Sequence, residues 1–157
     1  MKTLKRSRRR IRSALRKGTA AVECAIMAPL LTLLVLGAMD VGQFANVHQK
    51  ISDASREGAR MAARNSTQST SDVQVVVMDY LERVSRGVSP DTLASATTVT
   101  VTRADGGSIS GTALGDVPSG SEVRVQVTLQ FEAIRWISGV SSLTGSQITS
   151  TTIMRRQ

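Results

Sequence analysis

The segment TAAVECAIMAPLLTLLVLGAM, Thr19 to Met39, decides how this chain is organised: it is 21 residues long and carries a single charge, Glu23. A helix rises ~1.5 Å per residue and a bilayer core is ~30 Å thick, so this stretch predicts one transmembrane helix over residues 19–39. The span is only modestly apolar. An acid at the centre of a membrane helix costs roughly 2.5–3.5 kcal/mol on the insertion scale, and each Leu, Ile or Val returns about 0.3–0.6. Ile26, Leu30, Leu31, Leu33, Leu34, Val35 and Leu36 together roughly balance such an acid. Glu23 stands near the start of the span, at the interface, where the cost is smaller, so insertion wins by a narrow margin. Pro29 removes one helical hydrogen bond and predicts a bend, which membrane helices tolerate.

Outward from this segment the charge is distributed unevenly. The formal net charge is +8, and nine of the 20 basic residues precede Gly18: Lys2, Lys5, Arg6, Arg8, Arg9, Arg10, Arg12, Arg16 and Lys17. No acid lies among them, and Asp40 is the first charge after the span. This asymmetry places residues 1–18, a basic leader, in the cytoplasm and residues 40–157 outside it. A basic tail of this kind also suits anionic membrane lipid. The remaining 140 residues carry 11 basic and 12 acidic side chains, so the outer domain is close to neutral. A nucleic-acid partner is excluded on that ground, and the 3% aromatic content leaves little to stack on bases.

Catalytic and metal chemistry find no support either. Cys24 is the only cysteine and His48 the only histidine, so there is neither an intramolecular disulfide nor a histidine-rich metal site. His48 with Asp40 or Asp53 lacks the Gly-x-Ser-x-Gly setting of a hydrolase, and Gly106-Gly107 to Gly111 lacks the lysine of a phosphate loop. The expectation is a protein that is not an enzyme, with no cofactor and no small-molecule substrate.

The outer domain reads as α+β. From Phe44 a stripe runs through Val47, Ile51, Ala54, Gly58 and Met61 in steps of three and four, so the first helix continues beyond the span to about residue 65. Arg56, Glu57 and Arg60 fall mostly off this stripe, on a solvated face. A second helix is predicted over about 71–86, capped by Ser69 or Ser71 and ended by Gly87, with Val73, Val76, Val77, Tyr80, Leu81 and Val84 on one face. The period then changes to two. Strands are predicted over about 97–103, 121–132 and 147–154, with Ala104 to Gly120 as a glycine- and serine-rich linker. The sum is a long helix, a short helix and a small antiparallel sheet of about three strands.

The run Lys17-Gly18-Thr19-Ala20-Ala21-Val22-Glu23 makes the chain more than a generic anchored domain. A basic leader ends in glycine, and an acid follows at the fifth position inside an apolar helix. This resembles the processing site of type IV prepilins. The longer stretch from Gly18 to Leu31, the segment Ala-Ser-Arg-Glu-Gly-Ala-Arg at Ala54 to Arg60, and the ending Ile-Met-Arg-Arg at Ile153 to Arg156 resemble the TadE-like family of tight-adherence (Flp) pilus-assembly proteins. Cys24 stands where that branch usually has an aromatic residue.

The resemblance implies cleavage between Gly18 and Thr19 by a prepilin peptidase, with Glu23 as the acid used in processing and assembly. Pro29, Arg56, Glu57, Gly58 and Arg60 are further family-motif positions. It implies a minor pilin-like (pseudopilin) subunit in a bacterial cytoplasmic membrane, with the assembly platform and other pilin-like subunits as partners. Cleavage would remove the leader's nine cations and free an α-amine on Thr19, cationic at neutral pH. That amine could neutralise Glu23 of a neighbouring subunit. The alternative is an uncleaved, permanently anchored periplasmic or surface domain that binds a partner.

Overall fold

The computed structural model describes the backbone of residues 3–107, 109, 114–134 and 146–157, and side chains from residue 19 onward. Its elements are α1 (Thr3–Ala62), α2 (Thr70–Val84), α3 (Pro90–Ala96), β1 (Thr97–Arg103), β2 (Glu122–Gln130), a 3-10 turn (Phe131–Ile134) and β3 (Gln147–Arg155). The α+β class read from the sequence is the observed one. Two compact units form, Met1–Asp40 and Val41–Gln157.

The first unit is helical throughout its described length, and α1 begins at Thr3, inside the leader. Pro29 lies within this helix without ending it. One missing N–H costs a single hydrogen bond, and the turns on either side remain bonded. Thr32 returns its hydroxyl to the Ala28 carbonyl at 2.8 Å, so no side-chain donor is left for the apolar surroundings to accommodate. The helix carries one stretch long and apolar enough to cross a membrane.

The second unit is a three-stranded antiparallel sheet in the order β1-β2-β3, with helices on one face. Strict alternation in β2 makes that face: Val123, Val125, Val127 and Leu129 are buried, whereas Glu122, Gln126 and Gln130 point to solvent. In the register, Val99 and Ser150 flank Val127, and Thr98 and Thr149 flank Thr128. Helix α1 adds Val47, Ile51, Ala54, Ala59 and Ala62 to the core, and α2 adds Val73, Val77 and Leu81. Each fully buried Val, Leu or Ile contributes about 1.5–3 kcal/mol relative to exposure. Phe44 meets Phe131 edge to face, with ring centroids 5.2 Å apart and planes at 82°, a pairing worth about 0.5–1.5 kcal/mol beyond its buried area.

Helix ends follow their capping chemistry. Ser69 caps α2 by accepting from the Ser71 amide at 3.0 Å, while its own amide donates to Asp72 Oδ2 at 3.3 Å. This reciprocal pair fixes the start of α2 at Thr70, one residue before the expected position. The helix stops at Val84, short of the expected 86, and Gly87 follows with φ +93°, a conformation that suits glycine. Helix α1 stops at Ala62, not 65, because a tighter bond from the Arg64 amide to the Met61 carbonyl (3.1 Å) turns the chain.

Three features depart from the sequence reading. Helix α3 was not foreseen: Ser89 caps it, accepting from the Thr92 amide at 3.3 Å, and Pro90 begins it. The second strand ends at Gln130, and its last expected residues begin the 3-10 turn. The stretch read as a linker supplies Leu114 and Val117, both buried, so it closes part of the core. Gly111 of the expected glycine turn lies outside the described residues.

Candidate functional site

The residues expected to act fall into two groups that belong to different units. Gly18, Thr19, Glu23 and Pro29 lie in the first; Arg56, Glu57, Gly58 and Arg60 lie in the second.

In the first group, the helix presents Thr19, Glu23 and Pro29 to its surroundings. Glu23 and Cys24 are exposed, as are Val22, Ile26, Met27, Leu30, Leu31, Leu33, Leu34, Val35 and Met39. An apolar helix surface exposed over this length is uncommon for a soluble monomer, because monomeric proteins rarely expose contiguous apolar patches beyond a few hundred Å². A bilayer or a bundle of similar helices satisfies it. Within either, a carboxylate is the one side chain that demands a partner. Asp40, read from the sequence as the outer flanking charge, is buried, 1% exposed.

In the second group the helix divides the motif Ala54–Arg60 between its two sides. Ala54, Ser55, Gly58 and Ala59 are buried. Arg56 and Arg60 are exposed, and Arg56 pairs with Asp53 at 3.4 Å, with 67% and 39% of the side chains open to water. Such a pair contributes at most about 0.5 kcal/mol. Glu57 is half-buried. The small residues, not the charges, therefore position α1. A Cβ on Gly58 would stand 2.6 Å from Val77 Cγ2 and 3.2 Å from Val125 Cγ1, so α1 approaches α2 and the sheet at backbone distance.

Residues 18–60 match the family model of TadE-like proteins. The segment is TadE-like. No curated protein and no solved structure matches the chain. The TadE-like match covers both groups, from Gly18 to Arg60, and it implies a protein associated with the Tad pilus. With the apolar helix of the first unit it describes a single-pass membrane anchor.

Two arrangements in the chain were not foreseen from its sequence. Ser55, fully buried, bonds the Ser52 carbonyl at 2.8 Å, Thr152 Oγ1 at 2.8 Å and Ser150 Oγ at 3.1 Å. This hydroxyl cluster pins α1 to β3 at one register, since sliding either element leaves a buried hydroxyl unbonded. Its only sequence signal is a serine beside the apolar stripe. The second is Arg156, 2% exposed, whose Nη2 donates to the Thr67 carbonyl at 3.1 Å while Nε and Nη1 have no partner. Thr67 in turn donates its hydroxyl to the Met61 carbonyl at 2.7 Å, and the Gln157 amide donates to the Ala63 carbonyl at 2.9 Å. The end of β3 is thereby tied to the turn that closes α1. A guanidinium there also faces the negative end of the helix dipole.

Shape and charge at Arg156 can be separated. Arg156→Ala is expected to cost about 2–4 kcal/mol, by opening a void and stranding the Thr67 carbonyl. Arg156→Met, which keeps most of the volume, is expected to stay within about 1.5 kcal/mol of the parent, because a poorly paired buried charge is readily replaced by an apolar side chain. Denaturant unfolding of the full chain in detergent measures both. Equal losses in the two variants would show that the charge, not the packing, matters.

Among the described residues no group of three His, Cys, Asp or Glu is placed to hold a metal ion.

Proposed function

We propose that the protein is a minor pilin-like subunit of a tight-adherence (Flp) pilus system, made as a membrane precursor with its N-terminus in the cytoplasm and cut between Gly18 and Thr19 by a prepilin peptidase. The observation that carries this reading is where the TadE-like match begins. It starts at Gly18, the last residue of the basic leader, and leaves all nine leader cations outside it. A family segment that opens at the expected scissile bond is what a leader discarded before assembly produces. The mature chain would then begin with an apolar helical stretch, exposed over residues 19–35, that carries one acid and would gain one amine.

The role is structural and not catalytic. Its partners are the peptidase, the inner-membrane assembly platform and other pilin-like subunits, and lipid holds it until assembly. The intact mass of the chain isolated from its native host tests the processing step. The expected result is loss of residues 1–18 and a new N-terminus at Thr19. A mature, functional form that retains the leader would instead make this a permanently anchored binding domain, the second reading.

A further inference from the structure

We propose that Arg156 and Gln157 form a releasable strap, which lets go of the turn after α1 while the sheet stays folded, and that the buried guanidinium of Arg156 sets how readily it does so. The inference goes beyond the pilin reading and holds whether or not the leader is removed.

The strap is held at two places. On one side the Arg156 amide donates to the Ser121 carbonyl at 2.8 Å, and the Gly120 amide donates to the Arg156 carbonyl at 2.9 Å. On the other, the Gln157 amide reaches the Ala63 carbonyl at 2.9 Å and Arg156 Nη2 reaches the Thr67 carbonyl at 3.1 Å. The regular β2–β3 ladder has already ended here, at the Glu122–Arg155 pair. Gly120 and Ser121 together oppose Arg156, and the Ser121 amide turns away to the Pro118 carbonyl at 3.1 Å. This is a bulge, and Gly120 at φ +89° allows it. A bulge interrupts the ladder, so the strap is not locked by the strand bonds before it.

Charge works against closure. Arg156 is 2% exposed, and its Nε and Nη1 are buried without a partner among the described residues. A guanidinium does not give up its proton, so it is buried as a cation. Among the described residues no carboxylate forms an ion pair with it. The Thr67 carbonyl and the negative end of α1 return only part of the cost of taking that charge out of water. Release restores the guanidinium's hydration and breaks bonds whose groups water also satisfies. The paired residues from Glu122–Arg155 to Gln130–Gln147 are left in place. What is freed is the turn from Ala63 to Thr67, which leads into the Ser69 cap of α2. The strap thus controls how firmly the connection between α1 and α2 is fixed.

Amide hydrogen exchange on the full chain in detergent, resolved to single residues and corrected for intrinsic rates, tests this. Val125 and Val127, inside the ladder, are the internal reference. In the parent, the Gly120 and Gln157 amides are expected to exchange at least about tenfold faster than the reference pair, because they open locally. Arg156→Met keeps most of the volume and removes both the charge and its bond to Thr67. If the buried charge drives release, the variant lowers the ratio of strap to reference rates by at least about fivefold. Gly120→Ala acts from the other side, straining a residue at φ +89°, and is expected to raise the Gln157 ratio by at least about threefold. Strap amides that exchange together with Val125 and Val127 in the parent would mean that the segment opens only with the whole domain, and the proposal fails. It fails equally if the ratio in Arg156→Met is unchanged or higher, because the bond to Thr67 then outweighs the charge, or if Gly120→Ala leaves the Gln157 ratio where it was.

Discussion

Gly58→Val is expected to leave the Val41–Gln157 unit unfolded or nearly so, with a loss of at least about 4 kcal/mol. Two effects compete at this position. Any side chain at a helical glycine gains up to about 1 kcal/mol of helix propensity, less for a β-branched residue. Against this, the first added carbon would lie 2.6 Å from Val77 Cγ2, closer than carbon atoms approach, and 3.2 Å from Val125 Cγ1. Overpacking a dense core costs about 1–3 kcal/mol for small insertions, and the two further methyls of valine find Val73, Val77 and Val125 already in place. A domain of this size has only about 5–15 kcal/mol in total, so the loss is a large fraction of it. Gly58→Ala should fall between, costing about 1–2 kcal/mol. Gly42→Ala is the control: its Cβ meets nothing within 4 Å, so propensity alone acts and stability should rise by up to about 1 kcal/mol. Thermal unfolding by far-UV circular dichroism measures all three. If Gly58→Val melts with the parent, α1 does not lie against Val77 and Val125 as described.

That position also shows what sequence reasoning can and cannot reach. The stripe Phe44, Val47, Ile51, Ala54, Gly58, Met61 was legible because burial imposes the helical period on residue type, and the buried face of β2 was legible because burial imposes alternation. The stripe did not show that Gly58 is a contact point between backbone and side chains, because that depends on which elements lie opposite. Helix α3 escaped because seven residues are too few for periodicity to register, although Ser89-Pro90 is a fair start signal. Strand β3 is legible only in part. Its core face alternates Ile148, Ser150, Thr152 and Met154, and its middle hydroxyls serve Ser55 and not the apolar core. Burial there selects for hydrogen bonding, which leaves no hydrophobic signature. Arg156 is harder still. Nothing about a terminal Arg-Arg pair distinguishes the buried Arg156 from the exposed Arg155 beside it, since the difference arises from the turn after α1, some 90 residues earlier in the chain. The N-terminal group stands apart, because its reading rests on residue spacing alone. The proposed processing of Gly18 and the proposed role of Glu23 need no tertiary partner within the chain, so only their spacing in the sequence speaks for them.

Glu23→Ala is expected to separate membrane insertion from assembly. Removing a carboxylate makes the span more apolar, so the variant should insert at least as well as the parent and accumulate normally in the membrane. A fall in pilus incorporation therefore cannot be a failure of insertion. On the proposed reading, removal of the leader would leave the Thr19 amine and Glu23 as the ionic groups at the end of the mature helix, and their mutual neutralisation between neighbouring subunits would be the interaction the variant lacks. Each tenfold in an equilibrium corresponds to ~1.4 kcal/mol, and charge-assisted hydrogen bonds out of water exceed that, so incorporation should drop by at least about tenfold. Glu23→Gln keeps the shape and removes the charge, and it should fall with alanine; Glu23→Asp keeps the charge on a shorter arm and should recover part of the level. Quantifying the chain in sheared pili against the membrane fraction reads the effect, and the mass of the membrane-bound form tells which step is lost. A variant that retains its leader places Glu23 in recognition by the peptidase, whereas one that is cut but stays in the membrane places it in assembly. Normal incorporation of Glu23→Ala would remove the carboxylate from the mechanism altogether, because no other acid lies within the span to replace it.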